Sequence, residues 1–231
     1  MATVTASKYG TINYQGDSSF SATRTAATGS SASNQSGSSD EKNGMMYYAS
    51  GKGDEWEIRR SYLAFNVSSY ATGYTITNLK LYYKPTATGS GTYKIAIIKQ
   101  TAQGNANADL TTSDYYTPLD YTVDYAANDG TLTWSDSTSL SYFDLNATAI
   151  SAFTSNYLKL AIVEYNQDYG NSAPGFTMNL TSYWDPDDTV PYLSFTATPT
   201  GYGNDIIGVS SSDISKVIDV ATADISQVIG V

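Results

Sequence analysis

The sequence predicts an all-β protein: an antiparallel two-sheet β-sandwich of jelly-roll type with one short helix and a C-terminal repeat tail. Many short segments are rich in β-branched and aromatic residues and alternate between apolar and polar positions. Turns containing Gly, Pro or Asn separate these segments, and only one short segment has helical spacing. Because 231 residues suit a single all-β domain, we expect one sandwich over residues 1–199 and a tail over residues 200–231.

The first quarter of the chain combines strands with a long polar connection. Residues 3–14 alternate and contain enough β-branched residues to predict a first strand. Residues 17–54 are rich in Ser, Gly, Ala and Thr, a composition that indicates an irregular loop or a flexible linker. Since residues 45–48 regain strand character, we favour a loop carried on the sandwich.

The strongest predicted strand covers residues 58–69. With the strands predicted over residues 75–84 and 92–99, it is expected to form a β-meander. Arg59 and Arg60 lie within this strand, and we interpret them as a structural ion pair or a hydrogen-bond anchor. Alternation places one set of its residues on each face of the sheet: Leu63, Phe65 and Val67 on one side, and Tyr62, Ala64 and Asn66 on the other.

The short helix is predicted within residues 144–153, where Ile150 and Phe153 are three positions apart. Asn146 or Thr148 is suited to cap its first turn. Three further strands are predicted after it, over residues 157–165, 175–183 and 190–199.

Composition excludes several classes of function. The net charge of −10 would repel a phosphate backbone, so nucleic acid is not an expected partner. The chain has no Cys and no His, which removes thiolate and imidazole metal sites, Cys nucleophiles and His-based triads. We therefore expect no enzymatic activity and no cofactor. The start of the chain has no signal-peptide pattern, and no stretch is apolar enough to insert into a membrane.

Two acidic stretches suggest weaker sites. Asp185, Asp187 and Asp188 carry oxygen ligands that Ca²⁺ accepts, although the spacing is not that of an EF-hand and a solvated acidic turn is the more common outcome. Asp54 and Glu55 precede Trp56 and Glu57, an arrangement that glycosidases or sugar-stacking sites could use. We favour the simpler interpretation, a charged edge strand.

Aromatic residues offer a candidate glycan surface. The chain contains 21 Tyr, and several occur as adjacent pairs. In a strand, one member of such a pair faces the core and the other faces outward, so about half of these rings are expected to be buried. The candidate glycan contacts are Tyr47, Tyr48, Trp56, Tyr115 and Tyr116, and the wider aromatic set adds Tyr82, Tyr83 and Trp134.

The ordered segments IRRSYLAFNVSS, TITNLKLYY, SYFDLNATAISAF and VPYLSFTATP resemble the β-sandwich domains labelled DNRLRE or carbohydrate-binding-module-like. The resemblance spans about residues 2–197 and consists of several weak motifs in order. Asn66 stands where the family usually has an aspartate, and the acidic stretch at residues 185–188 is also atypical. The resemblance implies a sandwich of the kind found in surface proteins, in accessory modules of polysaccharide-active enzymes and in phage particles.

The tail contains a tandem repeat of eleven residues, SSSDISKVIDV followed by ATADISQVIGV, with a partial copy before them. It resembles the "ISKVNGVA" units that end some phage structural proteins. A period of eleven corresponds to ~3.67 residues per helical turn, but extended segments between short capped turns fit equally well. The apolar positions expected to mediate assembly are Ile206, Ile207, Val209, Ile214, Val217, Ile218, Val220, Ile225, Val228, Ile229 and Val231.

These observations lead to a functional hypothesis with one alternative. Exposed Ile and Val side chains in water are unfavourable, so the tail must be covered, either by its own sandwich or by other subunits. We expect a structural protein of a virion or another extracellular surface, a phage decoration, fibre or adhesin component that is a homo-oligomer docked through its tail. The alternative is a glycan-binding module or surface adhesin that uses exposed Tyr and Trp, with a host-surface glycan as its ligand.

Overall fold

The structure is a computed structural model that describes residues 1–16, 19–34, 43–50, 55–83, 85–86, 92–135, 140–173, 179–184, 190–200, 216–217 and 220–221. Its strands and helices, in chain order, are β1 (Ala2–Thr5), β2 (Lys8–Gly16), α1 (Phe20–Arg24), β3 (Ser31–Asn34), β4 (Asn43–Ser50), β5 (Glu55–Asn66), β6 (Tyr74–Tyr83), β7 (Pro85–Thr86), β8 (Thr92–Gln100), β9 (Leu119–Asp124), β10 (Thr133–Ser135), β11 (Ser141–Asp144), α2 (Ala147–Ala152), β12 (Tyr157–Glu164), β13 (Asn179–Trp184), β14 (Tyr192–Pro199), β15 (Lys216–Val217) and β16 (Val220–Ala221).

Two antiparallel sheets form the body of the protein, which confirms the all-β, two-sheet prediction. The smaller sheet has four strands in the order β1-β14-β6-β11. The larger sheet has ten strands, with β10-β8-β12-β5-β4-β13-β7 as its main path and β2, β3 and β9 paired alongside. Both sheets contribute to one hydrophobic core, to which the smaller sheet supplies Leu81, Leu193 and Phe195.

Strand β5 is the centre of the larger sheet. It pairs with β2 along nearly its whole length and also with β4 and β12. Leu63 and Phe65 are fully buried, and so are Tyr62 and Ala64 on the opposite side of the strand. The predicted alternation therefore separates two buried faces, a pattern that indicates a sheet covered on both sides.

Two predictions about connectivity are wrong. Residues 3–14 form two strands, because the chain leaves the smaller sheet after β1 and enters the larger sheet at β2. The expected β-meander does not form, since β6 belongs to the smaller sheet and β12 lies between β5 and β8. Consecutive strands in a two-sheet fold often cross between sheets, and strand propensity carries no information about which neighbour is chosen.

A helix forms where the sequence predicts it, but the prediction of a single short helix is wrong, because α1 is a second one. Helix α2 begins after Asn146, whose side-chain oxygen accepts a hydrogen bond from the backbone nitrogen of Ala149 at 3.1 Å. Residues 17–54, which the sequence predicts to be a loop, contain regular secondary structure, because α1, β3 and β4 all lie within them. Ser19 caps α1 in the same way, with its hydroxyl accepting from the nitrogen of Ala22.

Arg60 anchors the outer side of β5, as the sequence predicted. Its side chain is fully buried and forms a bidentate ion pair with Asp168, with Nε and Nη2 at 2.7 and 2.8 Å from the two carboxylate oxygens. The same guanidinium donates to the backbone oxygens of Arg24 and Tyr115. Burial alone would lower the pKa of Arg60, but Asp168, Tyr121 and Tyr115 together raise this pKa above its ordinary value. Helix α1 and the turn at Tyr115 are thereby tied to the sheet.

A capped π-helical turn at residues 165–169 places Asp168 beside Arg60. The carboxylate of Glu164 accepts hydrogen bonds from the backbone nitrogens of Asn166, Gln167 and Asp168. Burial raises the pKa of Glu164 despite these bonds. Asp168 also accepts a hydrogen bond from the hydroxyl of Tyr121 at 2.8 Å. The acidic partner of Arg60 is therefore fixed from both the backbone and the side chains.

Candidate functional site

Three tyrosines stand side by side on the outer face of the smaller sheet. Tyr82 on β6 is directly opposite Tyr142 on β11 and Tyr192 on β14. Their sequence neighbours Tyr83, Phe143 and Leu193 are buried, so alternation directs the three rings away from the core. We refer to Tyr142, Tyr82 and Tyr192 as the tyrosine row.

The rings of the row touch one another. Tyr82 stacks on Tyr192 with a centroid distance of 4.8 Å and an interplanar angle of 4°. On its other side, Tyr82 meets Tyr142 at 5.4 Å and 39°. Because both faces of Tyr82 are covered, the middle of the row presents ring edges and hydroxyl groups. Tyr142, at the end of the row, is 49 % exposed.

The ion pair of Lys80 and Asp144 contacts the Tyr142 ring. The ammonium of Lys80 lies 3.6 Å from the centroid of the Tyr142 ring, within the range of a cation–π contact. The same ammonium forms an ion pair with Asp144 at 3.0 Å. The hydrogen bond between Lys80 and Asp144 raises the pKa of Lys80. Tyr142 therefore has a partner on each side and a defined orientation.

The row ends at a groove of about 420 Å³. Ser141, Tyr142 and Asp144 line it from β11, an edge strand of the smaller sheet. Thr133, the first residue of β10 at an edge of the larger sheet, lines it from the other side together with Thr131. Tyr83 and Phe143, stacked at 4.4 Å and 6°, are also among its lining residues. A groove that combines hydroxyls, one carboxylate and aromatic surface can contact both the polar and the apolar parts of a ligand.

Sequence reasoning found part of this site. It predicted that one of Tyr82 and Tyr83 faces outward, and the structure places Tyr82 outside and Tyr83 in the core. It did not find Tyr142 and Tyr192. A signal was present, because each alternates with an apolar residue that is buried, but the prediction of their position requires the cross-strand register.

The five aromatic residues predicted as glycan contacts lie elsewhere. Tyr115 is fully buried with its ring 4.2 Å from the Arg60 guanidinium carbon, so it offers no surface to a ligand. Tyr116 is half-buried near Tyr121. Trp56 is half-buried in an edge-to-face contact with Phe20 at 5.9 Å. Tyr47 and Tyr48 belong to β4 in the larger sheet, and Trp134, from the wider aromatic set, belongs to β10.

The acidic candidates separate into two groups. Glu57 is buried and accepts hydrogen bonds from Asn13 and Arg59, both at 3.0 Å. The interpretation of its segment as an edge strand is wrong, because β5 has paired strands on both sides. Within the described part of the chain, no group of three acidic residues is placed to hold a metal ion. Glu55 is the first residue of β5, and the other four candidates, Asp54, Asp185, Asp187 and Asp188, lie outside the described residues.

The tail is described at four residues. There β15 and β16 pair as antiparallel strands, with Val217 directly opposite Val220. The other predicted assembly positions, Ile206, Ile207, Val209, Ile214, Ile218, Ile225, Val228, Ile229 and Val231, lie outside the described residues.

Comparisons with known proteins provide no family for this chain. No protein-family model matches it, and a search of curated proteins finds no match. Of the helices described in the structure, none has the length and apolar character needed to cross a lipid bilayer.

Proposed function

We propose that the protein is a non-enzymatic glycan-binding domain of a surface assembly, built on a jelly-roll type sandwich. The observation that supports this proposal is the tyrosine row, which ends in a groove lined by hydroxyls and Asp144. Tyr142 is 49 % exposed, and Leu140, two positions earlier in the chain, is 45 % exposed. Exposed aromatic surface next to convergent polar groups is a feature of binding sites.

The chemistry of the row suits a saccharide. A sugar ring carries hydroxyls around its rim and C–H groups on its faces, so it needs hydrogen-bonding groups and an apolar surface together. The hydroxyls of Tyr82 and Tyr192 supply donors and acceptors, and the exposed part of Tyr142 supplies apolar area. Asp144 adds an acceptor at the groove.

Affinity electrophoresis of the full chain in gels containing soluble polysaccharides tests this proposal. The Tyr142→Ala variant should lose retention by any polysaccharide that slows the wild-type protein, by about tenfold or more in affinity, since it removes ring and hydroxyl together. Tyr82→Phe should lose less, because it keeps the stacked ring and removes only the hydroxyl.

Tyr74→Ala is the matched control. Tyr74 lies on β6, the strand that carries Tyr82, and is 40 % exposed. Its ring contacts Tyr70 rather than the tyrosine row. Its replacement should leave retention unchanged. If no polysaccharide retains the wild-type chain, or if Tyr142→Ala is retained as well as Tyr74→Ala, the row is not a glycan site.

A second candidate function is assembly of a virion, in which the protein is a phage decoration, fibre or adhesin component. The tandem repeat after residue 199 supports it, together with the resemblance of the tail to phage structural proteins. Repeated apolar segments suit a periodic or symmetric acceptor. Light scattering of the full chain against a chain ending at Pro199 tests this function, and equal monomer masses would remove its basis.

A further inference from the structure

A second cleft, of about 340 Å³, lies at the end of the larger sheet beside α2. Lys99 and Gln100 at the end of β8 line it, as do Tyr157 and Lys159 at the start of β12. Its volume is at the lower end of the range for small-molecule sites. None of the residues of the tyrosine row lines it.

The charge of this cleft is opposite to that of the protein. The chain carries 22 acidic and 12 basic residues, yet the residues lining the cleft include two lysines and no carboxylate. Lys159 donates to the backbone oxygens of Thr101 and Gly104, both at 3.0 Å, which holds its ammonium in place. Burial and then the charge of Lys99 lower the pKa of Lys159. Asp120 on β9 is directly opposite Lys99 on β8 in the strand register, but Asp120 does not line the cleft.

Gln100 provides an independent sign of a ligand. Its side chain is 1 % exposed, and its Nε2 is held by the backbone oxygen of Leu63 at 3.2 Å and the side-chain oxygen of Gln103 at 2.9 Å. Its Oε1 has no hydrogen-bond partner among the described residues. A buried acceptor without a donor is costly, and a ligand hydroxyl would satisfy it.

The other lining groups favour a ligand with several hydroxyls. Tyr125, Thr148, Ser151 and Tyr157 all line the cleft and carry hydroxyl groups. Burial raises the pKa of Tyr125 to about 12, so its phenol stays neutral and can donate a hydrogen bond. Inorganic phosphate would use the lysines but would leave most of this lining without contacts.

We propose that this cleft binds a small hydroxy acid of the size of a hexuronate, with its carboxylate on Lys99 and Lys159 and one of its hydroxyls donating to Oε1 of Gln100. The lysines supply the charge that selects a carboxylate, and the hydroxyl-rich lining selects a polyol. This site is separate from the tyrosine row and does not depend on it.

Titration calorimetry of the full chain with D-glucuronate, D-glucose and inorganic phosphate tests the proposal. We expect glucuronate to bind, and the other two to bind at least about tenfold more weakly, because each lacks one of the two recognised features. If glucose matches glucuronate, the lysines do not select the ligand. If phosphate matches it, the cleft is an anion site only. Either result, or no heat with glucuronate, overturns the proposal.

Lys99→Gln and Lys94→Gln form a matched pair of variants. Both remove one positive charge from β8, but Lys94 is exposed and does not line the cleft. Lys99→Gln should weaken glucuronate binding by about tenfold, and Lys94→Gln should not. Equal effects would show that only the net charge matters and would overturn the assignment. Tyr142→Ala should bind glucuronate as the wild type does, which separates this result from the test of the tyrosine row.

Discussion

At the scale of single residues, the most consequential interaction is the buried pair of Arg60 and Asp168. Both side chains are at most 1 % exposed. Asp168→Ala would leave the Arg60 charge buried without its acidic partner, so we expect it to lower the free energy of unfolding by about 3–5 kcal/mol in urea titrations followed by fluorescence. Asp109→Ala is the control: it breaks a surface pair with Lys8 and should cost less than about 1 kcal/mol.

Two outcomes would bear on this prediction. A loss of less than about 1 kcal/mol in Asp168→Ala would show that solvent reaches Arg60 and that the pair is not the anchor described. If the single variant does not fold, the triple variant Arg24→Met, Arg60→Met and Asp168→Leu should recover folding. It removes the carboxylate together with both buried arginines that lie within 3.4 Å of it, and buried ionic groups can be replaced by apolar side chains of similar volume.

At the scale of secondary-structure elements, composition and alternation predicted most of the longer strands but neither the short strands, such as β3, β10 and β11, nor the strand partners. The segments that became β5, β6, β8 and β12 were found because each is a run of apolar and β-branched residues. Register and sheet membership depend on contacts between residues far apart in the chain, and a single sequence contains no signal for them. Because the sequence does not give the cross-strand register, it predicts only Tyr82 of the tyrosine row.

One glycine shows what local propensity cannot reveal. Gly10 on β2 is opposite Asn34 on β3, and an added Cβ would lie 2.1 Å from the backbone oxygen of Ser33. No side chain fits that distance, so the close approach of β3 to β2 requires glycine there. From the sequence alone, Gly10 is only a residue of low strand propensity within a predicted strand. The need for glycine there follows from the position of β3 in the structure.

At the scale of the whole molecule, buried phenols make the fold sensitive to high pH. Burial raises the pKa of Tyr83 and Tyr125 to about 12, and burial raises the pKa of Tyr62 and Tyr115 further, from an ordinary value of 10.0. Because the folded-state pKa values are raised, these tyrosines contribute their full stability below pH 10, and the contribution falls as the pH rises from 10 towards 12.

The near-ultraviolet absorbance of phenolate measures the ionisation of these tyrosines directly. We expect the exposed tyrosines to ionise first and the buried set to ionise only as the protein unfolds, with a parallel fall in the urea midpoint above pH 10. A single ionisation step near pH 10 with the circular dichroism unchanged would contradict the burial assigned to these four residues.

The span of the Arg60 contacts along the chain has a consequence for synthesis on the ribosome. The guanidinium needs groups from residues 24, 115 and 168, and β1 is completed only by β14, where Ala2 pairs with Phe195. A nascent chain that ends before these partners emerge cannot close either sheet. At a translation rate of about 5–20 residues per second, the nascent chain is therefore expected to stay without a closed sheet until its last strands have emerged from the ribosome.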